Sequence, residues 1–142
     1  MKKIFLDTVG LLAVREKSDQ WHEAAILAMR EFAHPGTRTW TSDSVLLECG
    51  NAVARKPYRD EFVTMRRDFI ELRTLVTPTD AEIEQAWEAY ERRYAAGAGI
   101  VDQISFVLMD RLDIKEAFTN DEHFQAAASS HSFESNRQVN ND

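Results

Sequence analysis

Short apolar runs alternate with amphipathic stretches along the chain, and this pattern predicts its secondary structure. Lys3–Leu6 is an apolar run that meets an acid, and Thr37–Thr41 is β-branched and aromatic, so both are expected to form strands. Leu75–Val76 and Ala117–Thr119 are predicted as two further short strands. Helical patterns separate these segments. The alternation predicts an α/β fold, a three-layer α/β/α domain with a central, largely parallel sheet of four to five short strands.

Residues with helix-capping chemistry mark where the predicted helices begin. Thr79 and Glu82 have the spacing of a capping box, in which each side chain bonds the backbone N–H of the other residue. Aromatic residues at helical spacing are interpreted as core, with a partner surface as the alternative for any exposed subset, and these are Trp21, Phe62, Phe69, Trp87 and Tyr90. The other helices are expected from a Ser18 cap to Phe32, from Ser42 or Ser44 to about Arg55, from Pro57 to about Leu72, from Asp102 to Leu112 and from His123 to Ala128.

Length and composition indicate one domain with a single core. The chain has 142 residues, of which 44% are hydrophobic and 10% aromatic, and this excludes disorder throughout. Residues 1–128 are assigned to the domain, and the polar residues 129–142 to a flexible C-terminal tail. Cys49 is the only cysteine, and neither a signal-peptide core nor a membrane-spanning run is found, so a cytoplasmic protein without membrane contact is expected.

The acidic balance of the chain limits how it could bind nucleic acid. A net charge of −7 excludes a protein that binds nucleic acid simply through overall positive charge. The segment Thr79–Glu91 carries five acids and no base, so it is not expected to touch RNA. The surplus of acid therefore needs another explanation.

Four carboxylates occupy positions where an α/β domain commonly binds its ligands. Asp7 and Asp121 follow the first and last predicted strands, so both are expected at the carboxyl edge of the sheet. Asp102 lies at a helix start, where the dipole favours a carboxylate. Glu48 is predicted on an apolar helix face with no Lys or Arg nearby in sequence to pair with it. Converging carboxylates repel one another unless a cation joins them, and Mg²⁺ or Mn²⁺ prefers such oxygen ligands.

Each of these acids also has a structural interpretation. Asp7, Asp102 and Asp121 could end a strand or cap a helix, which is the usual role of acids at such positions. Glu48 is the least easily explained in this way. The joint order along the chain, strand end, helix, helix start and strand end, favours a shared metal site over four unrelated structural roles.

Three segments of the sequence carry a resemblance to a known family: Ile4–Thr8 (IFLDT), Thr41–Glu48 (TSDSVLLE) and Ile100–Phe124 (IVDQISFVLMDRLDIKEAFTNDEHF). In order and spacing they are similar to the PIN-domain family, in particular the VapC-type ribonuclease toxins of bacterial toxin–antitoxin modules. The resemblance covers about residues 1–125. It implies RNA cleavage that depends on Mg²⁺ or Mn²⁺, with a metal-bound water as nucleophile, a cognate antitoxin and a homodimer. The metal-binding acids that it implies are Asp7, Glu48, Asp102 and Asp121.

Two places depart from the pattern of that family. Val9 stands where the family often has Ser or Asn, so one polar contact is missing. After His123 and Phe124 the family usually continues into a Gly-Phe turn and a final strand. Here residues 125–128 run directly into the polar tail, which leaves the closing edge of the sheet without an assigned strand.

Further polar residues are candidates for supporting roles. The hydroxyls of Thr8 and Thr119 could orient the acids or a phosphate. Ser105 could face the acids or bond the backbone of its own helix. The segment Arg55–Arg73 has six basic and four acidic residues, which usually indicates a solvated helix face. It is also the best local candidate for holding RNA phosphates, through Arg55, Lys56, Arg59, Arg66 and Arg67.

Other functions remain as alternatives to a metal-dependent ribonuclease. A phosphoacceptor receiver module would need an acceptor Asp at a strand end in mid-chain and a Lys after a late strand, and the sequence has neither. A haloacid-dehalogenase-type phosphatase needs a second Asp where Val9 stands. A PIN-fold protein with a non-toxin role in RNA processing or an idle binding role stays open. His22 and His123 are isolated and are interpreted as structural.

Overall fold

The computed structural model describes residues 1–119 and 131–132, which form six helices and five strands. The strands are β1 (Lys2–Leu6), β2 (Thr37–Ser42), β3 (Leu75–Val76), β4 (Glu116–Thr119) and β5 (His131–Ser132). The helices are α1 (Thr8–Arg15), α2 (His22–Phe32), α3 (Asp43–Ala52), α4 (Arg59–Glu71), α5 (Asp80–Glu91) and α6 (Ile100–Arg111).

All five strands are parallel and form one sheet in the order β3-β2-β1-β4-β5. The first strand is the central one: Ile4 pairs with Thr39 of β2 and with Glu116 of β4. Successive residues of β1 point to opposite faces, yet Ile4, Phe5 and Leu6 are all buried. Both faces of the sheet are therefore covered by helices, as expected for parallel strands. The predicted three-layer α/β/α fold is confirmed.

Local signals predicted several elements correctly and missed others. The Thr79–Glu82 capping box is present, and Ser42 caps α3 by accepting a hydrogen bond from the Val45 backbone N–H. Helix α1 was not expected, because its sequence TVGLLAVR is only eight residues long and mostly apolar, and it follows the first strand directly. The prediction that Ser18 caps a helix is wrong. Its hydroxyl donates to Glu16 within a turn, and α2 begins four residues later.

Of the five aromatic residues predicted as core, Trp21 is partly buried against it, and the other four divide into two pairs. Phe62 and Phe69 form the buried face of α4, as predicted. Trp87 and Tyr90 are 49% and 47% exposed, so their assignment to the core is wrong. Helix α5 instead turns Ala86 and Ala89 toward α6, because small side chains allow these two helices to pack closely. Helical spacing shows that residues share a stripe, but not which stripe is covered.

Helix α1 lies directly against the end of β4. A Cβ atom placed on Gly10 would stand 2.3 Å from the carbonyl oxygen of Phe118 and 2.5 Å from its ring. Any side chain at this position would push the helix away from the strand. The glycine therefore sets the distance between the first helix and the fourth strand.

Three helices end with a non-glycine residue in the left-handed conformation. At the end of α5, Arg93 has φ 58°, Tyr94 N–H donates to Ala89, and Arg93 N–H donates to Tyr90. These paired bonds are those of a Schellman motif, in which glycine is the preferred residue. Helices α4 and α6 end in the same way at Arg73 (φ 59°) and Asp113 (φ 54°).

The C-terminal region is described only in part. Strand β5 pairs with Phe118 and Thr119 of β4, although residues 131–132 fall within the stretch assigned to a flexible tail. An open sheet edge offers unpaired backbone groups, and two residues suffice to bond some of them. The predicted helix His123–Ala128 lies outside the described residues. Within the described ranges, no helix has the length and hydropathy to cross a bilayer.

Candidate active site

Asp7 is fixed at the carboxyl end of the central strand. It is 1% exposed and stands at the N-cap position of α1. Its backbone N–H donates to the Phe118 carbonyl (3.3 Å), and its Oδ2 accepts a hydrogen bond from the Thr119 hydroxyl (2.9 Å). The ends of β1 and β4 are therefore joined at the carboxylate. Thr119 lies where an orienting hydroxyl was expected.

Helix α3 brings a second carboxylate to this sheet edge. Cys49 is completely buried, and its pKa is raised to about 12 by burial and then by the negative charges of Asp7 and Glu48. Thr8, also buried, lowers this pKa through its hydroxyl, so it adjoins the thiol. The charges of two predicted acids, carried by different elements, thus act on the same thiol. At neutral pH the thiol stays protonated.

Glu48 itself differs from the sequence expectation in one respect. Its side chain is exposed, whereas the pattern placed it on a buried apolar face in need of a partner. The buried face of α3 is formed by Val45, Leu46 and Cys49. Because solvent reaches the carboxylate, no desolvation penalty has to be offset there. Glu48 is therefore an exposed residue of α3, unlike the buried Asp7.

Asp102 occupies the third position of α6 rather than its cap. Its side chain is half-buried, and Oδ2 accepts a hydrogen bond from the Gly99 backbone N–H at 3.0 Å. Gly99 was not identified as a site residue from the sequence. The signal for it was the three-residue spacing to Asp102, the same spacing as in a capping box. Helix α3 packs against both α1 and α6, which brings the elements that carry Asp7, Glu48 and Asp102 together.

Ser105 supports its own helix. It is completely buried, and its hydroxyl donates to the Val101 carbonyl at 3.0 Å. Ser105 therefore bonds the backbone of its own helix, which was one of the two roles expected for it. His22 is likewise accounted for structurally, because its Nδ1 lies 2.8 Å from the Ala13 carbonyl oxygen.

The metal site predicted from the sequence is only partly covered by the described residues. Asp121 lies outside them. Within residues 1–119 and 131–132, no group of three or more His, Cys, Asp or Glu side chains is arranged to hold a metal ion. The described part of the chain therefore supplies separate carboxylates at one end of the sheet, not a complete cluster.

The basic residues proposed to hold RNA are all exposed, but their surroundings differ. Lys56 forms an ion pair with Glu16 (3.2 Å), and Arg59 donates to the Ala54 carbonyl (2.9 Å). Both therefore stabilise the α3–α4 connection. Arg66 and Arg67 fall at helical spacing from Arg59, on the same exposed side of α4. Arg55 lies in the turn before that helix.

Comparison with known proteins agrees with the observed fold. The PIN domain family model matches residues 4–129. The crystal structure of VapC20 from Mycobacterium tuberculosis, a sarcin–ricin loop cleaving toxin, superposes with a TM-score of 0.71 and 28% identity. That match covers 87% of this chain and 94% of VapC20. No curated protein matches the sequence. With a family-model match over most of its length and a five-stranded parallel sheet, the chain belongs to the PIN domain family.

Proposed function

We propose that this protein is a divalent-metal-dependent endoribonuclease that acts as the toxin of a toxin–antitoxin module. One observation carries the proposal: Asp7, 1% exposed, follows the central strand β1 and precedes α1, and α1 packs against α3, the helix that carries Glu48. Burying a carboxylate is costly, and a cation bound at this edge of the sheet would offset part of that cost. The likeness to VapC20 supports RNA as the substrate class.

The chemistry of the donor set fits a hard cation. Asp7, Glu48 and Asp102 offer only carboxylate oxygens, and the neighbouring Cys49 thiol remains protonated, so it does not compete as a soft ligand. We expect these three residues, together with Asp121, to hold Mg²⁺ or Mn²⁺. When bound, such a cation lowers the pKa of water and neutralises charge on a phosphate undergoing in-line displacement.

The residues around the acids would hold them in position for this task. The Thr119 hydroxyl fixes one oxygen of Asp7, and the Gly99 N–H fixes one oxygen of Asp102. Each bond restricts the rotation of a carboxylate. Such supporting bonds typically change metal affinity or activity by about 10- to 100-fold when they are removed.

Cleavage of RNA with purified protein tests the proposal. Wild type should cleave only with Mg²⁺ or Mn²⁺, and Asp7→Asn or Asp102→Asn should lower the rate by at least about 100-fold. Asp110→Asn is the matched control, because Asp110 is an exposed acid of the same helix as Asp102. Cleavage that persists in EDTA, or that is equal in all four proteins, would contradict the mechanism and favour an idle binding role.

The toxin role needs a separate experiment in cells. Induced expression of the wild type should arrest growth, whereas Asp7→Asn should not. Co-expression of a small protein encoded beside the toxin gene should relieve the arrest, and co-purification would identify that protein as the antitoxin. Relief without co-purification would argue against direct inhibition. We also expect a homodimer, which sedimentation of the purified protein can test.

A further inference from the structure

A small cleft lies beside Asp102, where the chain passes from α5 to α6. Its volume is about 370 Å³, at the lower end of the range of roughly 300–1,000 Å³ found for small-molecule sites. Tyr90, Glu91, Arg93 and Tyr94 line one side, and Gly99 closes the other. Gly99 is also the residue whose N–H holds the Asp102 carboxylate. Gly99 therefore connects the cleft to the candidate active site.

The backbone around this cleft is shaped by left-handed residues. Arg93 (φ 58°), Ala95 (φ 49°) and Gly97 (φ 92°) turn the connection back on itself between the two helices. Glycine would suit the position of Arg93 better, since it ends α5 in a Schellman motif. An arginine at this position places a long cationic side chain in the wall of the cleft.

The side chains in this wall match the parts of a nucleotide. Tyr90 and Tyr94 are 47% and 45% exposed, and aromatic rings of this kind stack on unpaired bases. Arg93 can bond a phosphate with its guanidinium fork. The exposed Glu91 carboxylate is an acceptor, and guanine is the base whose Watson–Crick edge offers two adjacent donors, N1–H and N2–H₂.

We propose that this cleft binds one unpaired nucleotide of the RNA substrate and favours guanine. The inference rests on the proposed ribonuclease function, because the bound nucleotide would position the neighbouring phosphate at the acids. It also revises the sequence expectation that Thr79–Glu91 avoids RNA. The acids earlier in α5 still disfavour contact with the backbone, so the contact is confined to the end of the helix, where Arg92 and Arg93 follow.

Binding of mononucleotides tests the cleft without any cleavage. The four nucleoside 5′-monophosphates are titrated into protein in EDTA, and the backbone NMR shifts of residues 90–99 are followed. GMP should bind best, and Arg93→Gly should weaken it about tenfold. Arg73→Gly is the matched control, since it removes an exposed arginine from the equivalent left-handed position of α4, and it should leave GMP binding unchanged.

The nucleotide preference of a Glu91 variant tests the role of this residue. A glutamine offers one donor and one acceptor, which complements the N6–H and N1 atoms of adenine. Glu91→Gln should therefore shift the preference from GMP toward AMP, whereas Glu88→Gln, one turn earlier on α5, should not. Unchanged preference in Glu91→Gln would overturn the assignment of guanine.

The outcomes separate this inference from the proposed function. GMP binding that depends on Arg93, in a protein that does not cleave RNA, would support the cleft and contradict the ribonuclease. If neither Arg93→Gly nor removal of single bases from the RNA changed the cleavage rate, the proposed nucleotide site would be wrong and the ribonuclease function would stand. If the NMR shifts of residues 90–99 changed with protein concentration and not with nucleotide concentration, they would indicate a contact between copies of the protein. The proposal would then be wrong.

Discussion

Thr119 and Asp7 are 112 residues apart in sequence, yet one hydrogen bond of 2.9 Å joins their side chains in the interior. A hydrogen bond to a charged group contributes about 1.5–3 kcal/mol. Thr119→Val keeps the shape and removes the donor, so we expect the free energy of unfolding to fall by about 1–3 kcal/mol. RNA cleavage should fall as well, because Asp7 loses its orientation.

Urea unfolding and cleavage rates together check this expectation. Thr119→Ser is the control, since it retains a hydroxyl and should recover most of both quantities. A Thr119→Val protein as stable and as active as the wild type would show that the hydroxyl does not orient Asp7.

Glu16 offers a test that depends on pH. Its pKa is lowered to about 2, first by the hydroxyl of Tyr58 and then by Ser18 and Lys56. Because the folded pKa lies below the ordinary value of 4.5, these bonds stabilise the fold above pH 4.5, and the contribution is lost as the pH falls toward 2. Tyr58→Phe should raise the pKa of Glu16, and the stability gap to the wild type should shrink across this window.

NMR titration of the Glu16 carboxyl measures that change directly. Ser18→Ala should give a smaller upward shift of the pKa, since the Ser18 bond is the lesser cause. Equal titration curves for the wild type and Tyr58→Phe would contradict the prediction.

Among the elements, the contact between α1 and β4 is the least tolerant of change. Gly10→Ala would place a Cβ atom 2.3 Å from the Phe118 carbonyl oxygen, so the helix must shift. Overpacking of this kind lowers the free energy of unfolding by about 1–3 kcal/mol. Thermal and urea denaturation of the variant measure the loss.

Gly50→Ala supplies the matched control for that experiment. Gly50 lies in α3, and a Cβ atom there meets nothing within 4 Å. Alanine should therefore stabilise this helix by about 0.5–1 kcal/mol through its better helix propensity. Equal effects of the two substitutions would show that Gly10 is not needed for close packing.

Elements set by neighbours in sequence could be predicted, whereas features set by packing between elements could not. The Thr79–Glu82 capping box and strand β3 depend on neighbours in sequence, and both were predicted correctly. The exposure of Glu48 and Trp87 depends on which helix covers which, and no local pattern contains that information. Asp7 was placed correctly at a strand end because its position follows from a short apolar run. The hydrogen bond between Asp7 and Thr119 could not be predicted in this way, because it depends on the order of the strands in the sheet.

For the whole molecule, divalent cations should raise stability if the carboxylates bind them. A ligand that binds only the folded state stabilises it by about 2.7 kcal/mol at 100 times its Kd. Addition of Mg²⁺ or Mn²⁺ should therefore raise the Tm of the wild type and of Asp110→Asn, but not that of Asp7→Asn. Calorimetry at matched ionic strength measures this effect independently of cleavage. Equal shifts in all three proteins would indicate binding elsewhere.

The central place of β1 in the sheet has a consequence for how the protein is made. Asp7 leaves the ribosome early, but its strand cannot be enclosed until β4 and Thr119 have been synthesised. Pairings between such distant residues form late in folding, and a growing chain cannot make them at all. Any activity that needs the oriented Asp7 is therefore absent from the nascent chain. The cell completes most of the polypeptide before that activity can begin.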